Sequence, residues 1–583
     1  MSTNAARQTA AAEANPRAVD VLLAQLEAEG VTHLFGVPGG NLVPLYEALK
    51  DRGTIVPVLC KQEDGGAFMA DGYARVSGRL GVCSGIAGPG ATNALTGIAG
   101  SYADSVPVLL LSGQVATSVV GRGAMQDATT FGIDLVDILR PVTKLSTMLV
   151  NPETTQRIVA HAVRAATAGR PGPVHLNLPG DVAKVRLAGA MPEVTSVRAP
   201  AHPVDAGAVA RAVSLLARAK SPAILAGNGV NVSQAWAELR SLAESAGIPV
   251  ATTPKAKGAL PETHPLSLGV FGFGGHLRAS RYLTGEVDVL LVVGSSLGEI
   301  ATNGWDKGFA PTEALVQVDI DPLELGKNFP VQVGVVGDAR AALAAIEAQL
   351  ATVHRARPGT LPAHLLEVPR YIDEGRMADE SVPLKPQRVL ATLRRVLPDD
   401  ALLFSDIGNC VSWVQQYFDA RQPHTVFQNL GLSAMGWSIP ASIGGQLAAP
   451  DRTVAAVLGD GAFAMTGMEV HTAVEYDLPI VFVVLNDSGF GMVEHGELLI
   501  GGRVNSPTRY RHRIDAAGIA RSLGARGLTV ESPAELEETF ADAVHRRMPT
   551  VIDVHIDPDE IPGALKIRAR SLARMFESNN DDR

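Results

Sequence analysis

Short apolar runs such as VPVLLLSG, VDVLLVVG and PIVFVVLN recur along the chain, separated by helix-length segments in which apolar and polar positions are mixed. Runs without polar alternation predict strands buried on both faces of a sheet, and helix-length connectors are what parallel strands need in order to return to the same edge. The repeated pattern predicts βαβ units throughout. Proline-rich, motif-poor stretches at 188–207 and 354–387 interrupt it and leave three blocks. The expected fold class is α/β, with three doubly wound parallel-sheet domains over 17–188, 207–353 and 386–560, followed by a basic tail at 561–583.

The first and third blocks share an order of features. GVCSGIAGPGATNALTGIAGSYADSVPVLLLSGQV reads as strand, glycine turn, helix, acidic-proline turn and strand, and VAAVLGDGAFAMTGMEVHTAVEYDLPIVFVVLN repeats it, with Asp477 and Pro479 where the first has Asp104 and Pro107. Two domains of one topology should therefore flank a different middle domain. That middle block carries PAILAGNGV, VDVLLVVGSSLGE and LVQVDIDP and reads as a nucleotide-fold domain, with or without a nucleotide.

Composition narrows the classes. A chain of 583 residues is long enough for several cores, and 46% hydrophobic residues with 19% charged is ordinary for a globular protein. No apolar run approaches the ~20 residues a membrane span requires. The net charge of −10, with no long basic cluster in the body, argues against nucleic acid as a partner. Cys60, Cys83 and Cys410 are far apart and show no metal-ligand spacing, which fits a reducing, cytoplasmic compartment. The small, polar N-terminal stretch 1–20 reads as a lead-in rather than a secretion signal. The basic run KIRARSLAR reads as a solvated helix face able to reach a phosphate-bearing ligand.

The chemistry concentrates in LGDGAFAMTGMEVHTAVEYDLPIVFVVLNDSGFGM. In an open parallel sheet, ligands collect at the carboxyl ends of strands, where glycine turns lead into helices whose N–H groups favour anions. Gly459 and Gly461 let backbone approach a phosphate, while Asp460 supplies a hard oxygen ligand. An aspartate beside a phosphate calls for a cation between them, and Mg²⁺ suits a few protein oxygens plus phosphate and water. The next strand ends in Asn486-Asp487, so the helix between returns Asp487 to the edge that carries Asp460. The unit reads as a clamp for a metal diphosphate, with Asp460, Asp487 and the Gly489 carbonyl as ligands.

This unit resembles the GDG-to-asparagine motif of the thiamine-diphosphate-dependent enzymes of the decarboxylase and acetolactate synthase superfamily, with Asp487 where the family usually has Asn. LCKQEDGGAFMADGYARVSG is similar to the segment that carries the family's activating glutamate, which implies that role for Glu63; Gln62 stands where a His usually precedes it. LFGVPGGNLVPLYEAL resembles the first glycine loop, where Gly39 and Gly40 would line the site. Gln126 falls where relatives place a residue beside the substrate. DIGNC resembles a diphosphate-contacting turn, implying Gly408, Asn409 and Cys410, and GLSAMGWSIPASIG resembles the segment that bends the coenzyme, with Met435 between its rings and Ser433 near the pyrimidine. Gly459, Asp460, Gly461, Ala462, Asp487 and Gly489 complete the implied coenzyme set. The resemblance spans roughly residues 17 to 560 and implies thiamine diphosphate and Mg²⁺ as cofactors. The three domains would be pyrimidine-binding, central and diphosphate-binding. It also implies a homodimer or homotetramer with sites at the subunit interface.

Within the superfamily the chain is most similar to acetolactate-synthase-like carboligases. No His-His pair of the simple pyruvate decarboxylases is present in the N-terminal catalytic region. The pattern is broken at two places: Gly496 replaces a substrate-contacting Trp in GMVEHGELL, and SSLGEIATNG stands where relatives carry an Arg-Phe-Asp-Asp run that meets the second substrate and flavin. Glu494 and His495 fall where the substrate pocket is expected, either as a solvated loop or as groups that move protons. His471 reads as packed or surface. The expected activity is C–C bond cleavage or formation on a 2-oxo acid or 2-hydroxyacyl substrate. The alternatives are a 2-hydroxyacyl-CoA lyase, with the basic tail meeting CoA phosphates, a simple 2-oxo acid decarboxylase and, as the weakest, a non-catalytic regulatory relative.

Overall fold

The computed structural model describes residues 15–198, 202–353 and 357–570. Most of the N-terminal lead-in and the tail beyond residue 570 lie outside the described residues. Three six-stranded sheets are present, and every ladder pair in them is parallel. The described chain divides into two compact units. The first comprises Met1–Pro200, Gly431–Asp451 and Thr466–Leu478, and the second comprises Ala201–Leu430, Arg452–Met465 and Pro479–Arg583.

In the first unit, β1 (His33–Gly36), β2 (Val56–Leu59), β3 (Gly81–Gly85), β4 (Val108–Gln114), β5 (Leu145–Met148) and β6 (Val174–Pro179) lie in the order β2-β1-β3-β4-β6-β5. The helix Glu63–Ser77 crosses the helix Ser438–Ala448 at glycines. A Cβ on Gly72 would lie 2.1 Å from the Ala441 carbonyl oxygen, and one on Gly444 would lie 1.9 Å from that of Met69. Beside this crossing sits a buried polar knot. The Arg75 guanidinium donates to Asp71 at 2.6 Å and to Asp104 at 2.9 Å, while the Trp437 indole and the Ser101 hydroxyl donate to Asp71, each at 2.9 Å.

In the second unit, β7 (Ala223–Ala226), β8 (Val250–Thr252), β9 (Ser267–Val270), β10 (Val289–Val293), β11 (Ala314–Asp319) and β12 (Val333–Val336) form a sheet of order β12-β11-β10-β7-β8-β9. This is the doubly wound order of nucleotide-binding folds. The third sheet holds β13 (Leu402–Ser405), β14 (Val426–Gln428), β15 (Val454–Gly459), β16 (Val481–Asn486), β17 (Arg526–Val530) and β18 (Thr550–His555) in the order β14-β13-β15-β16-β18-β17. Numbered from its own first strand, that order equals the order of the first sheet, so the shared pattern in the sequence does reflect one topology used twice, with a different one between. β10, β15 and β16 are buried nearly end to end, as strands covered on both faces must be. The two sheets of this unit are tied by a fully buried ion pair. Lys257 Nζ donates to both Glu262 oxygens, at 2.9 and 2.8 Å, and to the Gln415 carbonyl at 2.9 Å.

Candidate functional site

Sheet order locates the candidate sites. In the third sheet the chain leaves β13 toward one edge and β15 toward the other, so the crevice between their carboxyl ends is the switch point where ligands bind. The turn Asp406–Cys410 follows β13 and the GDG turn follows β15, which places both on this crevice. In the first sheet the equivalent crevice lies between β1 and β3, followed by the Gly39-Gly40 loop and by the turn through Gly88 and Gly90.

Asp460 begins the helix Asp460–Thr466 directly after β15, and Asp487 follows β16, the adjacent strand, with Gly459 opposite Leu485 in the ladder. Both carboxyl groups are buried. Asp460 Oδ2 accepts the Gly489 N–H at 3.0 Å and Oδ1 accepts the Gly461 N–H at 3.0 Å. Burial, reinforced by the Asp487 charge, pushes the Asp460 carboxyl up to about 7, and burial pushes Asp487 up to about 6. Two buried carboxyl groups side by side, both with raised proton affinity, call for a proton or a cation between them. Asn486, also buried, is taken up structurally by the Ile514 carbonyl and Asp553 at 2.9 Å each, leaving Asp487 as the side chain that faces the crevice.

Asn409 opens the nine-residue helix Asn409–Tyr417, preceded by Gly408 at φ 132°. Its Nδ2 lies 3.1 Å from His495 Nδ1, and its Oδ1 is buried without a hydrogen-bond partner. A Cβ on Gly491 would meet Asp487 Oδ2 at 2.1 Å and Asn409 Nδ2 at 3.0 Å, whereas a Cβ on Gly459 would meet nothing within 4 Å. The crevice thus has open backbone on one wall and an unsatisfied polar atom beside two carboxylates. Among the described residues no three His, Cys, Asp or Glu side chains converge as a metal cluster. A cation here would draw on Asp460, Asp487 and a backbone oxygen, with phosphate and water completing its shell, a donor set that suits Mg²⁺. The Cys410 thiol donates to the Asp406 carbonyl at 3.1 Å and packs in the core, and burial pushes it up, so Cys410 faces the crevice through backbone alone. The Ala462 side chain is likewise buried.

Glu494 and His495 are not presented as free acid-base groups. Arg509 donates to Glu494 through Nε at 2.6 Å and Nη2 at 2.8 Å, and the Thr508 hydroxyl donates at 3.0 Å. Burial pushes the Glu494 carboxyl up, but these bonds outweigh it and hold the group below its ordinary value. Arg509 also donates to the Asp487 carbonyl at 2.8 Å. His495 is buried, with Nε2 3.0 Å from the Pro558 carbonyl, which can only accept; Nε2 therefore carries the proton and Nδ1 accepts from Asn409. Burial pushes its pKa down despite the Pro558 bond. In this structure Glu494 is thus engaged by Arg509 and Thr508, and His495 by Asn409 and Pro558. Arg509 was not singled out in the sequence because nothing in SPTRYRHR marks one arginine among several.

In the first unit Glu63 heads its helix, half-buried, and accepts Asn93 Nδ2 at 3.0 Å. A Cβ on Gly90 would lie 3.0 Å from Glu63 Oε1, and one on Gly88 would lie 3.9 Å from Gln126, which sits at φ 63°. Gly39 is closed by Ile86, whose side chain would be 2.3 Å from a Cβ there, while Gly40 is open. The turn after β3 therefore gathers Glu63, Gln126 and Gly39 at one crevice. In the same unit Ser433 is exposed at φ 61° and Met435 is half-exposed. His471 is a surface residue 3.6 Å from Glu475. In the second unit Arg568 of the basic tail pairs with Glu299 at 2.8 Å and lies over Phe273. Residues 571–574 of that run lie outside the described residues.

Family models of the thiamine pyrophosphate enzymes match in three consecutive stretches: the N-terminal TPP binding domain over 16–138, the central domain over 209–346 and the C-terminal TPP binding domain over 406–554. The chain is 36% identical over 563 residues to the probable acetolactate synthase large subunit of Methanocaldococcus jannaschii, covering 93% of this chain and 92% of that protein. The chain belongs to the thiamine pyrophosphate enzymes. It is also similar to the acetolactate synthase isozyme 3 large subunit of Escherichia coli, 32% identical over 96% of this chain and 98% of that one. With the acetolactate synthase large subunit of Corynebacterium glutamicum it shares 34% identity over 96% of this chain and 90% of the relative. Within the family it is an acetolactate-synthase-like, thiamine-diphosphate-dependent enzyme, and the crevices described above lie in its two TPP-binding domains.

Proposed function

We propose that this enzyme is a Mg²⁺-dependent carboligase that takes a 2-oxo acid as donor and joins its acyl fragment to a second carbonyl compound. The observation that carries the reading is the Asp460–Asp487 pair, two buried carboxylates with raised proton affinity at a switch point beside the unpartnered Asn409 Oδ1. Asp460, Asp487 and the Gly489 carbonyl would hold the cation, and Gly408, Asn409 and the Cys410 backbone would receive the diphosphate. Thiamine diphosphate, when bound, supplies a nucleophilic ring carbon and an electron sink. Glu63 would hold a proton against a nitrogen of its pyrimidine, with Gly39, Gly40, Ser433 and Met435 shaping that side and Gln126 beside the substrate. Domains at 17–188, 207–353 and 386–560 would serve as pyrimidine-binding, central and diphosphate-binding parts.

Glu63 is only half-buried in the single chain, which favours cover from a second copy. Met125, Phe131 and Ile133, at 86, 73 and 57% exposure, give the first unit an apolar surface for such a contact. We therefore read the assembly as a homodimer or homotetramer in which Glu63 of one subunit serves the carboxylate pair of another. The relatives' designation as large subunits leaves room for a further subunit. No helix among the described residues is long and apolar enough to cross a membrane. The three cysteines are buried with free thiols, which supports a reducing, cytoplasmic setting. Gly496 in place of a tryptophan favours an acceptor other than a second pyruvate, and the engagement of Arg568 with Glu299 and Phe273 disfavours its use for CoA phosphates.

The test is to incubate the protein with Mg²⁺ and thiamine diphosphate against pyruvate, longer 2-oxo acids and aldehyde–acyl-CoA pairs, with products read by mass. Ligated 2-hydroxy ketones or acids are expected. Release of free aldehyde from every donor, with no ligated product, would overturn the assignment.

A further inference from the structure

Glu63 follows the turn Cys60–Gln62 at the end of the edge strand β2, where the last bond to the sheet is that of the Cys60 N–H to the Gly36 carbonyl of β1 at 3.2 Å. Around and beyond that bond, the segment Gly467–Tyr476 holds the backbone. The Leu59 N–H donates to the Tyr476 hydroxyl at 2.8 Å, and the Thr472 hydroxyl oxygen lies 3.5 Å from the Leu59 carbonyl. The Lys61 N–H at 2.9 Å and the Gln62 N–H at 3.1 Å both donate to one oxygen of Glu469. Lys61 Nζ pairs with Glu475. Glu469 is 2% exposed, and its other oxygen accepts the Thr472 hydroxyl at 2.7 Å, so its carboxylate has a single orientation. Gly65, on the first turn of the Glu63 helix, has no side chain where a Cβ would lie 2.2 Å from Glu469 Oε1. The Gln62 side chain makes no cap to that helix, so the Glu469 carboxylate does the fixing from outside.

We propose that Glu469 is a positioning residue for Glu63. By accepting the two N–H groups immediately before Glu63, it fixes where the Glu63 carboxyl stands and so sets how fast the coenzyme ring carbon loses its proton. The inference rests on the thiamine-diphosphate reading of Glu63. N–H groups robbed of their acceptor seek another partner and release the chain they held, and a displacement of about 1 Å in a reacting group costs roughly 10²-fold in rate.

The experiment compares wild type, Glu63→Gln, Glu469→Ala, Glu469→Gln and Gly65→Ala as Mg²⁺–thiamine diphosphate holoenzymes. It follows exchange of the coenzyme ring proton for deuterium, coenzyme affinity and, without coenzyme, backbone amide exchange over residues 59–66. Glu469→Ala is expected to slow ring-proton exchange by roughly ten- to a hundredfold, to speed amide exchange at Lys61 and Gln62, and to leave coenzyme affinity within about threefold, too small a change to signal a lost binding contact. Glu469→Gln keeps an acceptor oxygen for both N–H groups and should restore most of the rate, while Gly65→Ala, which displaces the carboxylate, should copy Glu469→Ala. If Glu469→Ala does not fold, the Gln and Gly65 variants decide. Ring-proton exchange at the wild-type rate in Glu469→Ala or Gly65→Ala while Glu63→Gln is slow overturns the inference, as does loss of coenzyme binding in Glu469→Ala. Wild-type protein that binds the coenzyme without accelerating its ring-proton exchange overturns the reading of Glu63 itself, a separate result.

Discussion

Asp460 and Asp487 leave adjacent parallel strands in register, Gly459 opposite Leu485, and stand together at one buried sheet edge where each is harder to ionise than an ordinary aspartate. The sign of the resulting pH dependence follows from linkage. The ordinary carboxyl value is 3.8, while the folded values lie near 7 and 6, so between these limits the folded protein keeps protons that the unfolded chain gives up. The pair's contribution to stability is therefore fully present below about pH 4 and is lost as pH rises through 6 to 7. Metal-free protein should gain the most from added Mg²⁺ at pH 8 and little at pH 5, read as the shift in melting temperature. Asp487→Asn should flatten this difference. An equal Mg²⁺ shift at both pH values would contradict the arrangement.

Arg509 supports the same edge from behind. It bonds the Asp487 carbonyl and is itself held by Glu494, so Arg509→Ala and Glu494→Ala should act on metal affinity more than on chemistry. Loss of a residue that orients a metal ligand costs about 10- to 100-fold in affinity. The expected result for Arg509→Ala is a rise of that order in the Mg²⁺ concentration needed for half-maximal activity, with turnover at saturating Mg²⁺ largely restored. A turnover deficit that saturating Mg²⁺ does not mend would return Glu494 to the chemistry and bring Arg509 into it.

Gly72 and Gly444 make the helix crossing of the first unit possible, because a methyl group at either would overlap a carbonyl oxygen of the facing helix. Overpacking a close crossing costs about 1–3 kcal/mol, and more where backbone must move. Gly72→Ala and Gly444→Ala should each lower the unfolding free energy by at least that amount, read from the shift of the denaturant midpoint. Since the two positions face one another's helix, the double variant should cost less than the sum.

The sequence made the architecture legible because parallel strands buried on both faces announce themselves as unbroken apolar runs, and VPVLLLSG, VDVLLVVG and PIVFVVLN all became strands. The equal topology of the first and third sheets could be read from the paired acidic-proline turns at Asp104 and Asp477. Asp460 and Asp487 were legible for the same reason, as each stands at the end of such a run. The supporting residues were not. Glu469 and Arg509 act on backbone groups far away in the chain, and a pattern along one segment cannot show what another segment lacks. Likewise Glu494 and His495 looked like free polar groups in a pocket, and only the fold revealed that Arg509, Asn409 and Pro558 already occupy them.

His495 offers the last test, because its tautomer is set by its surroundings. With Nε2 donating to the Pro558 carbonyl and Nδ1 accepting from Asn409, the imidazole is held neutral, and burial pushes its pKa below the ordinary 6.5. For a group whose folded value is depressed, the stability it contributes is present above the unfolded value and is lost as pH falls from there through the folded value. Acidification below about pH 6.5 should therefore weaken the fold through His495, and His495→Gln should remove that part of the acid sensitivity. Gln can still bond either Asn409 or Pro558, but not both with the ring's geometry, so the variant should also bind the coenzyme more weakly, by one lost neutral hydrogen bond or about 1 kcal/mol, roughly fivefold. Turnover of the saturated variant should keep the wild-type pH profile. Disappearance of an inflection between pH 5 and 8 in His495→Gln would instead make the imidazole a proton carrier in the reaction.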